Sequence, residues 1–205
     1  MVDGGYEEGY ASTSCFWGET PGSYVVKLVD MLPPIIGSTV LDAGCGEGKN
    51  AQYFEKRGAV VTAIDCSAKA LANARKRWPS ERISWVEGDV SAIELGKDRY
   101  DIVVAYGFLH CLQGQQHVDR VTRALQEATK PGGHHVVCNF NARSQDLRAH
   151  PGFHPCLLPH RHFLRLYDDW EILTSSDEDL TERHPHNNII HTHSMTRFIA
   201  RKPLR

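Results

Sequence analysis

Leu41-Asp-Ala-Gly-Cys-Gly-Glu-Gly-Lys-Asn50 is the stretch that decides the fold. It joins a short apolar run, Thr39-Val-Leu-Asp-Ala43, to a helical stretch from Asn50 to Arg57, with Gly58 where a helix C-cap belongs. In a doubly wound sheet, a glycine-rich turn between a strand and a helix is the turn that holds a ligand. Two nucleotide-binding spellings fail here. The dinucleotide fingerprint needs glycine where Lys49 stands, and a Walker A loop needs glycine at Ala43 and Ser or Thr at Asn50. What remains is an acid followed by alternate glycines, Asp42, Gly44, Gly46 and Gly48, which lets a ligand approach bare backbone without demanding a pyrophosphate. Asp65 ends the next apolar run, Val60-Val-Thr-Ala-Ile64, and a carboxylate there can accept from both hydroxyls of a ribose. A ribose without a pyrophosphate points to a nucleoside ligand. The alternative is a plain tight turn beside a solvated Asp65.

Outward from the loop, strands and helices alternate. Ser67 to Trp78 reads as a helix stopped by Pro79, Ile83 to Glu87 as a third strand and Tyr100 to Ala105 as a fourth. His117 to Thr129 has apolar residues at Val118, Val121 and Leu125, and Pro131-Gly-Gly then turns the chain into a fifth strand, His134 to Asn139. Such alternation means βαβ units and a parallel sheet. Before the loop, Tyr6 to Gly22 has no period, and Ser23 to Leu32 is a helix opened by Pro21 and stopped by Pro33-Pro34. After the fifth strand, Asn141 to Pro159 reads as loop, His160 to Tyr167 as a short helix, and Trp170 to Thr174 and Met195 to Ala200 as strands.

Composition sets the frame. A chain of 205 residues, 41% hydrophobic, is enough for one ordinary core. With a net charge of −2 it lacks the basic excess of a nucleic-acid binder, and no apolar run is long enough to span a bilayer. The expectation is a soluble cytoplasmic protein with no nucleic-acid or membrane partner. The six cysteines form no C-x-x-C pair and read as reduced thiols. All twelve histidines lie from His110 onward.

Leu41 to Asn50, Val61 to Asp65, Gly88-Asp-Val90, Tyr100-Asp-Ile-Val-Val104 and Lys130-Pro-Gly-Gly133 resemble, in order and spacing, the motifs of class I S-adenosylmethionine-dependent methyltransferases. Gly48-Lys-Asn50 is similar to the Gly-Arg-Asn of the tellurite-resistance branch. Tyr10 to Pro21 looks like the N-terminal lid of that branch and of its thiopurine-methyltransferase-like relatives. The resemblance implies a doubly wound, seven-stranded, mostly parallel sheet of the Rossmann-like methyltransferase fold, with an antiparallel last strand. It implies one domain over 1–205: a lid and helix at 1–32, a cofactor-binding half at 39–140 and an acceptor-side half at 141–205. The cofactor implied is S-adenosyl-L-methionine. Asp42, Gly44, Gly46 and Gly48 would serve its methionine and ribose end, and Asp65 the ribose. Cys66 would lie against the adenine, Asp89 would accept from the adenine amino group, and Val90 would touch the ring. Ala105 and Tyr106 would line the route to the methyl group, and Trp17, in the lid, would stack over cofactor or acceptor. Glu182-Arg183 stands near the His-Arg pair of the tellurite-resistance enzymes, so the arginine corresponds and the histidine does not.

A small-molecule acceptor is expected, a thiol or chalcogen oxyanion, met by a monomer or homodimer. An O- or N-methyltransferase on a small metabolite, or a non-catalytic cofactor-binding module, is the alternative. If the last strand is antiparallel, His184, His186, His191 and His193 crowd the mouth of the cleft, and alternate strand residues such as His191 and His193 share a face. They can serve an acceptor, hold a metal or form a polar loop without chemistry. The residues assigned to the acceptor are His193, Arg183 and His110, with no metal, while His160 and His162 are read as helix surface.

Overall fold

The computed structural model describes residues 6–13, 15–183 and 188–205. Seven strands form one sheet in the order β3-β2-β1-β4-β5-β7-β6. They are β1 (Thr39–Ala43), β2 (Val60–Asp65), β3 (Ile83–Glu87), β4 (Tyr100–Tyr106), β5 (Thr129–Gln145), β6 (Glu171–Arg183) and β7 (Ile190–Arg201). Pairing is parallel from β3 through β5, and β7 runs antiparallel between β5 and β6. This is the expected Rossmann-like topology. The order reverses between β1 and β4, which opens the ligand crevice beyond their carboxyl ends.

The period of two in the strands builds two core layers. Leu41, Val103, Val137 and Phe198 point to one face, where they meet Val118, Val121 and Leu125 of α5 (Gln115–Ala128) and Phe163 of α6 (His160–Arg165). Their neighbours Val40, Ile102, Val136 and Ile199 point to the other. There they meet Val25 and Leu28 of α2 (Ser23–Met31), Ala51 and Phe54 of α3 (Lys49–Glu55) and Leu71 of α4 (Ala68–Arg77). Ser67 caps α4 by accepting the Ala70 N–H at 2.9 Å.

Several boundaries differ from the sequence reading. The aperiodic start contains a short helix, α1 (Glu7–Ser12), held because Tyr10 packs with Phe16 and Ala70 and because Glu7 bonds the Ser67 hydroxyl. β5 continues past Asn139 to Gln145, and β6 and β7 are longer than Trp170–Thr174 and Met195–Ala200. The added segments are polar: β6 lies at the sheet edge with much of its length exposed, so burial leaves no apolar alternation to read. His162 is half-buried and sits 2.7 Å from Asp119, and His160 is half-buried beside Thr196, so neither lies on the open helix surface expected. All six cysteines are free thiols. No helix among the described residues is long and apolar enough to cross a membrane.

Candidate active site

The glycine loop leaves β1 with Gly44, Gly46 and Gly48 at φ values of 70°, 53° and 77°, the left-handed region that favours glycine. Gly44 and Cys45 both donate to Ile64 O, which locks the loop to the end of β2. Asp65 is the second clamp. Its Oδ2 accepts the Gly46 N–H at 2.7 Å and its Oδ1 the Ser67 N–H at 2.9 Å. A carboxylate has about four lone-pair sites, and the Cys66 backbone also donates to it, so these donors do not exhaust it. Burial pushes the Asp65 carboxyl up, and the backbone donors of Ser67, Gly46 and Cys66 offset only part of that rise.

Between the loop and the strand ends lies a cavity of about 290 Å³. Toward β2 and β3 it is bounded by Cys66, Asp89, Val90, Phe108 and His117. Partial burial raises the Asp89 carboxyl, but the Ser91 hydroxyl and N–H outweigh it and hold it below its ordinary value. Nε2 of His117 is buried and has no hydrogen-bond partner. Toward β5, β6 and β7 the wall is Tyr6, Tyr106, His110, Phe140, Glu182 and Met195, with the Cys138 thiol beside them. Lys49 lines the same space, with Nζ 3.4 Å from Trp17 O.

The N-terminal segment closes one side. Glu47, in the loop itself, accepts the Phe16 N–H at 2.6 Å and the Asn73 amide at 3.0 Å. Trp17 donates to the Tyr10 hydroxyl at 2.9 Å and lies 6.1 Å from His150, the rings 25° from parallel.

At the opposite wall, Phe140 stands between two imidazoles. His110 stacks on it with centroids 4.3 Å apart and His193 with centroids 4.0 Å apart. Both rings stack closely, so they must occupy opposite faces of Phe140. Nδ1 of His110 accepts the Phe140 N–H at 3.2 Å, which leaves its proton on Nε2. Burial, aided by His193 and His150, pulls its pKa down to about 3.

Of the residues singled out from sequence, Trp17, Gly44, Gly46, Asp65, Cys66, Asp89, Val90, Tyr106 and His110 line this one cavity. Asp42, Gly48, Ala105, Arg183 and His193 do not. Asp42 lies beneath the loop, accepts from the Ala51 backbone and keeps Oδ2 without a partner; burial pushes its carboxyl up to about 7. Gly48 makes room for an aromatic ring, since a Cβ there would lie 2.2 Å from Trp85. Ala105 is covered within the core. Arg183 is exposed and donates to Asn188 at 3.1 Å. His193 is buried behind Phe140, with Nδ1 2.9 Å from Gln145 Oε1. His184 and His186 lie outside the described residues.

Sequence reasoning missed Tyr6, Tyr10, Glu47, Lys49, His117, Phe140 and Glu182. Glu47 and Lys49 stood inside the quoted motif and carried a signal. Tyr10 stood in the lid-like stretch and Glu182 beside Arg183 without a role assigned, whereas Tyr6, His117 and Phe140 reach the cavity only through tertiary packing.

The methyltransferase domain family matches residues 40–133, the span from β1 to the start of β5. Among curated relatives, a malonyl-[acyl-carrier protein] O-methyltransferase of Pectobacterium atrosepticum is 38% identical over 110 residues, covering 52% of this chain and 40% of that protein. The chain spans about half the length, or less, of the curated relatives it matches. Among solved structures, TehB from Haemophilus influenzae superposes with a TM-score of 0.73 at 22% identity, over 88% of this chain and 62% of that one. The structure described as "Conversion of a Disulfide Bond into a Thioacetal Group during Echinomycin Biosynthesis" does so with 0.74 at 20% identity, over 98% and 92%.

Proposed function

We propose that this chain, a class I S-adenosylmethionine-dependent methyltransferase by its residues 40–133, transfers a methyl group to a small, soft nucleophile, a thiol or a chalcogen oxyanion. S-adenosylmethionine, when bound, supplies an electrophilic methyl on a sulfonium and leaves as a neutral thioether. The residues fit it. Asp65 keeps acceptor capacity for a ribose hydroxyl, glycine backbone at Gly44 and Gly46 lines the cavity, and Cys66, Asp89 and Val90 would border the base. His117 offers its buried Nε2 at that end. Within residues 1–32 the segment before α2 acts as the lid while α2 belongs to the core, and residues 141–205 add Leu180, Glu182 and Met195 to an acceptor wall built mostly from earlier residues.

A neutral leaving group needs no general acid, so these side chains mainly orient and exclude water. The observation that carries the acceptor class is the state of His110. Its Nδ1 is occupied, its proton is on Nε2 and its pKa is held at about 3, so it donates to an acceptor and does not deprotonate it. Lys49 adds a cation suited to an anionic acceptor. These two take the donor role expected of His193 and Arg183.

A second reading rests on Glu182, the carboxylate of the acceptor wall, whose pKa burial raises. As a general base it would suit an alcohol or phenol. The deciding experiment measures S-adenosylhomocysteine release across thiols, selenite, tellurite, phenols and amines. Turnover of a thiol or oxyanion that survives Glu182→Gln supports the proposal. Turnover of phenols alone, abolished by Glu182→Gln, would replace it with O-methylation. Absence of release with every acceptor would favour a non-catalytic binding module.

A further inference from the structure

Behind Phe140, three imidazoles converge on one point. His150 precedes Phe153 in the segment after β5, and His191 and His193 stand two residues apart on β7. Nε2 of His150 lies 3.3 Å from Nε2 of His191 and 3.2 Å from Nε2 of His193. All three rings are buried. Oε1 of Glu182, on the neighbouring strand β6, is 3.8 Å and 3.9 Å from the two β7 nitrogens.

The outer nitrogens fix the tautomers. Nδ1 of His191 is 2.8 Å from Ile189 O, and Nδ1 of His193 is 2.9 Å from Gln145 Oε1. The Gln145 amide is itself oriented, because its Nε2 donates to Asn141 O and Ser194 O. Carbonyl oxygens only accept, so both β7 rings carry their proton on Nδ1 and turn an Nε2 lone pair inward. A cation at the centre would engage all three rings at once. Imidazoles held from behind by carbonyl groups are the usual outer shell of a metal site.

The two shortest spacings suit zinc. Four ligands at zinc bond lengths of about 2.0–2.1 Å, set tetrahedrally, stand about 3.3 Å apart. Both separations from His150 agree with it, and the Glu182 contacts at 3.8 Å and 3.9 Å would close by about 0.5 Å on binding. Square-planar or octahedral ligands at such bond lengths would have neighbours only about 2.9 Å apart. Three imidazoles and a carboxylate suit zinc chemically, and the carboxylate offsets part of the ion's charge.

We propose that His150, His191 and His193, with Glu182 as the fourth ligand, form a zinc(II) site. Bound zinc would tie the segment carrying His150 to β6 and β7. Because His150 also packs on Trp17, and His193 on Phe140, the ion would brace the acceptor wall and the N-terminal segment together. Glu182 faces the cavity, so the ion would sit one side chain away from the acceptor. This site stands whether or not methyl transfer is the reaction.

The test uses the untagged full chain, stripped with a chelator and titrated with zinc sulfate against a chromophoric competitor. One zinc per chain is expected, bound below about 1 µM, with a rise in melting temperature that chelator reverses. His150→Ala and His191→Ala should each weaken binding by about 10²-fold or more, Glu182→Gln less, and His162→Ala not at all. If a variant fails to fold, cobalt(II) added to the wild-type chain gives an independent reading: intense visible bands of four-coordination are expected. Zinc binding weaker than about 10 µM, one tight zinc unaffected by both His→Ala changes, or only a pale six-coordinate cobalt spectrum would each overturn the proposal.

Discussion

The ring of His110 lies over that of Phe140 with the planes 2° from parallel, and the Phe140 backbone N–H donates to Nδ1 of the same imidazole. One residue thus fixes both the tilt and the tautomer of the other. His110→Phe should keep the stack and remove the Nε2 donor. KM for the acceptor should rise about 3–10-fold, the loss of one neutral hydrogen bond, while the pH profile of kcat keeps its shape. Steady-state kinetics between pH 6 and 9 check this, and a pH limb present in the wild type but absent from the variant would identify His110 as a base instead.

Asp65 closes the glycine loop through Gly46 and lines the cavity. Asp65→Ala should lower affinity for S-adenosylmethionine by about 10²-fold or more, since hydrogen bonds to a charged acceptor contribute about 1.5–3 kcal/mol each. Calorimetry measures it directly. Unchanged affinity would remove Asp65 from the cofactor site.

Glu47 fastens the N-terminal segment through Phe16 and Asn73. Glu47→Ala should make residues 6–17 more sensitive to limited proteolysis and cut turnover about 10-fold or more, while lowering the melting temperature by only a few degrees. The apolar cluster of Tyr10, Phe16 and Ala70 gives the segment some core of its own. Deleting residues 1–17 should therefore cost more stability than Glu47→Ala does. Loss of the fold in the point variant would show that the segment is structural rather than a lid.

The carboxyl of Asp42 is raised to about 7 by burial. An acid whose folded pKa exceeds its unfolded value, near 3.9, gives stability fully present below about pH 4 and lost as pH rises toward 7. Asp42→Asn keeps an acceptor for the Ala51 N–H and removes the buried charge. The difference in melting temperature, variant minus wild type, should therefore grow from pH 4 to pH 7 and then level off. A difference independent of pH would show that Asp42 is not held in this way.

The parts of the fold legible in sequence were those where burial imposes a period. β1, β2 and β4 are apolar on both faces and declared themselves, and the glycine loop announced the crevice through its spelling. The polar extensions of β5, β6 and β7 were hidden because their pairing rests on backbone and on side-chain bonds such as Asn141 to Asp177. Of the site, the cofactor half lies within short sequence distance of the strands that present it. The opposite wall, which we propose faces the acceptor, is assembled from Tyr6, His110, Phe140 and Glu182, and no local pattern links residues so far apart. His193 shows the limit most clearly. Its placement on β7 near the cleft was legible, whereas the Phe140 ring that screens it was not.

The place of β7 between β5 and β6 also governs how the chain can be assembled. β6 is synthesised before the strand that must separate it from β5, so for that interval it has no neighbour in the sheet. Its edge stays open until β7 inserts and pairs on both sides at once. Joining β5 to β7 across the intervening β6 is the kind of non-local contact formation that slows a sheet and leaves strands exposed to wrong partners. Leu180, Glu182 and Met195 ride on this hairpin, so their side of the crevice is closed only once β7 is in place. The glycine loop and the Asp65 clamp, by contrast, draw only on residues up to Ser67 and do not wait for this hairpin.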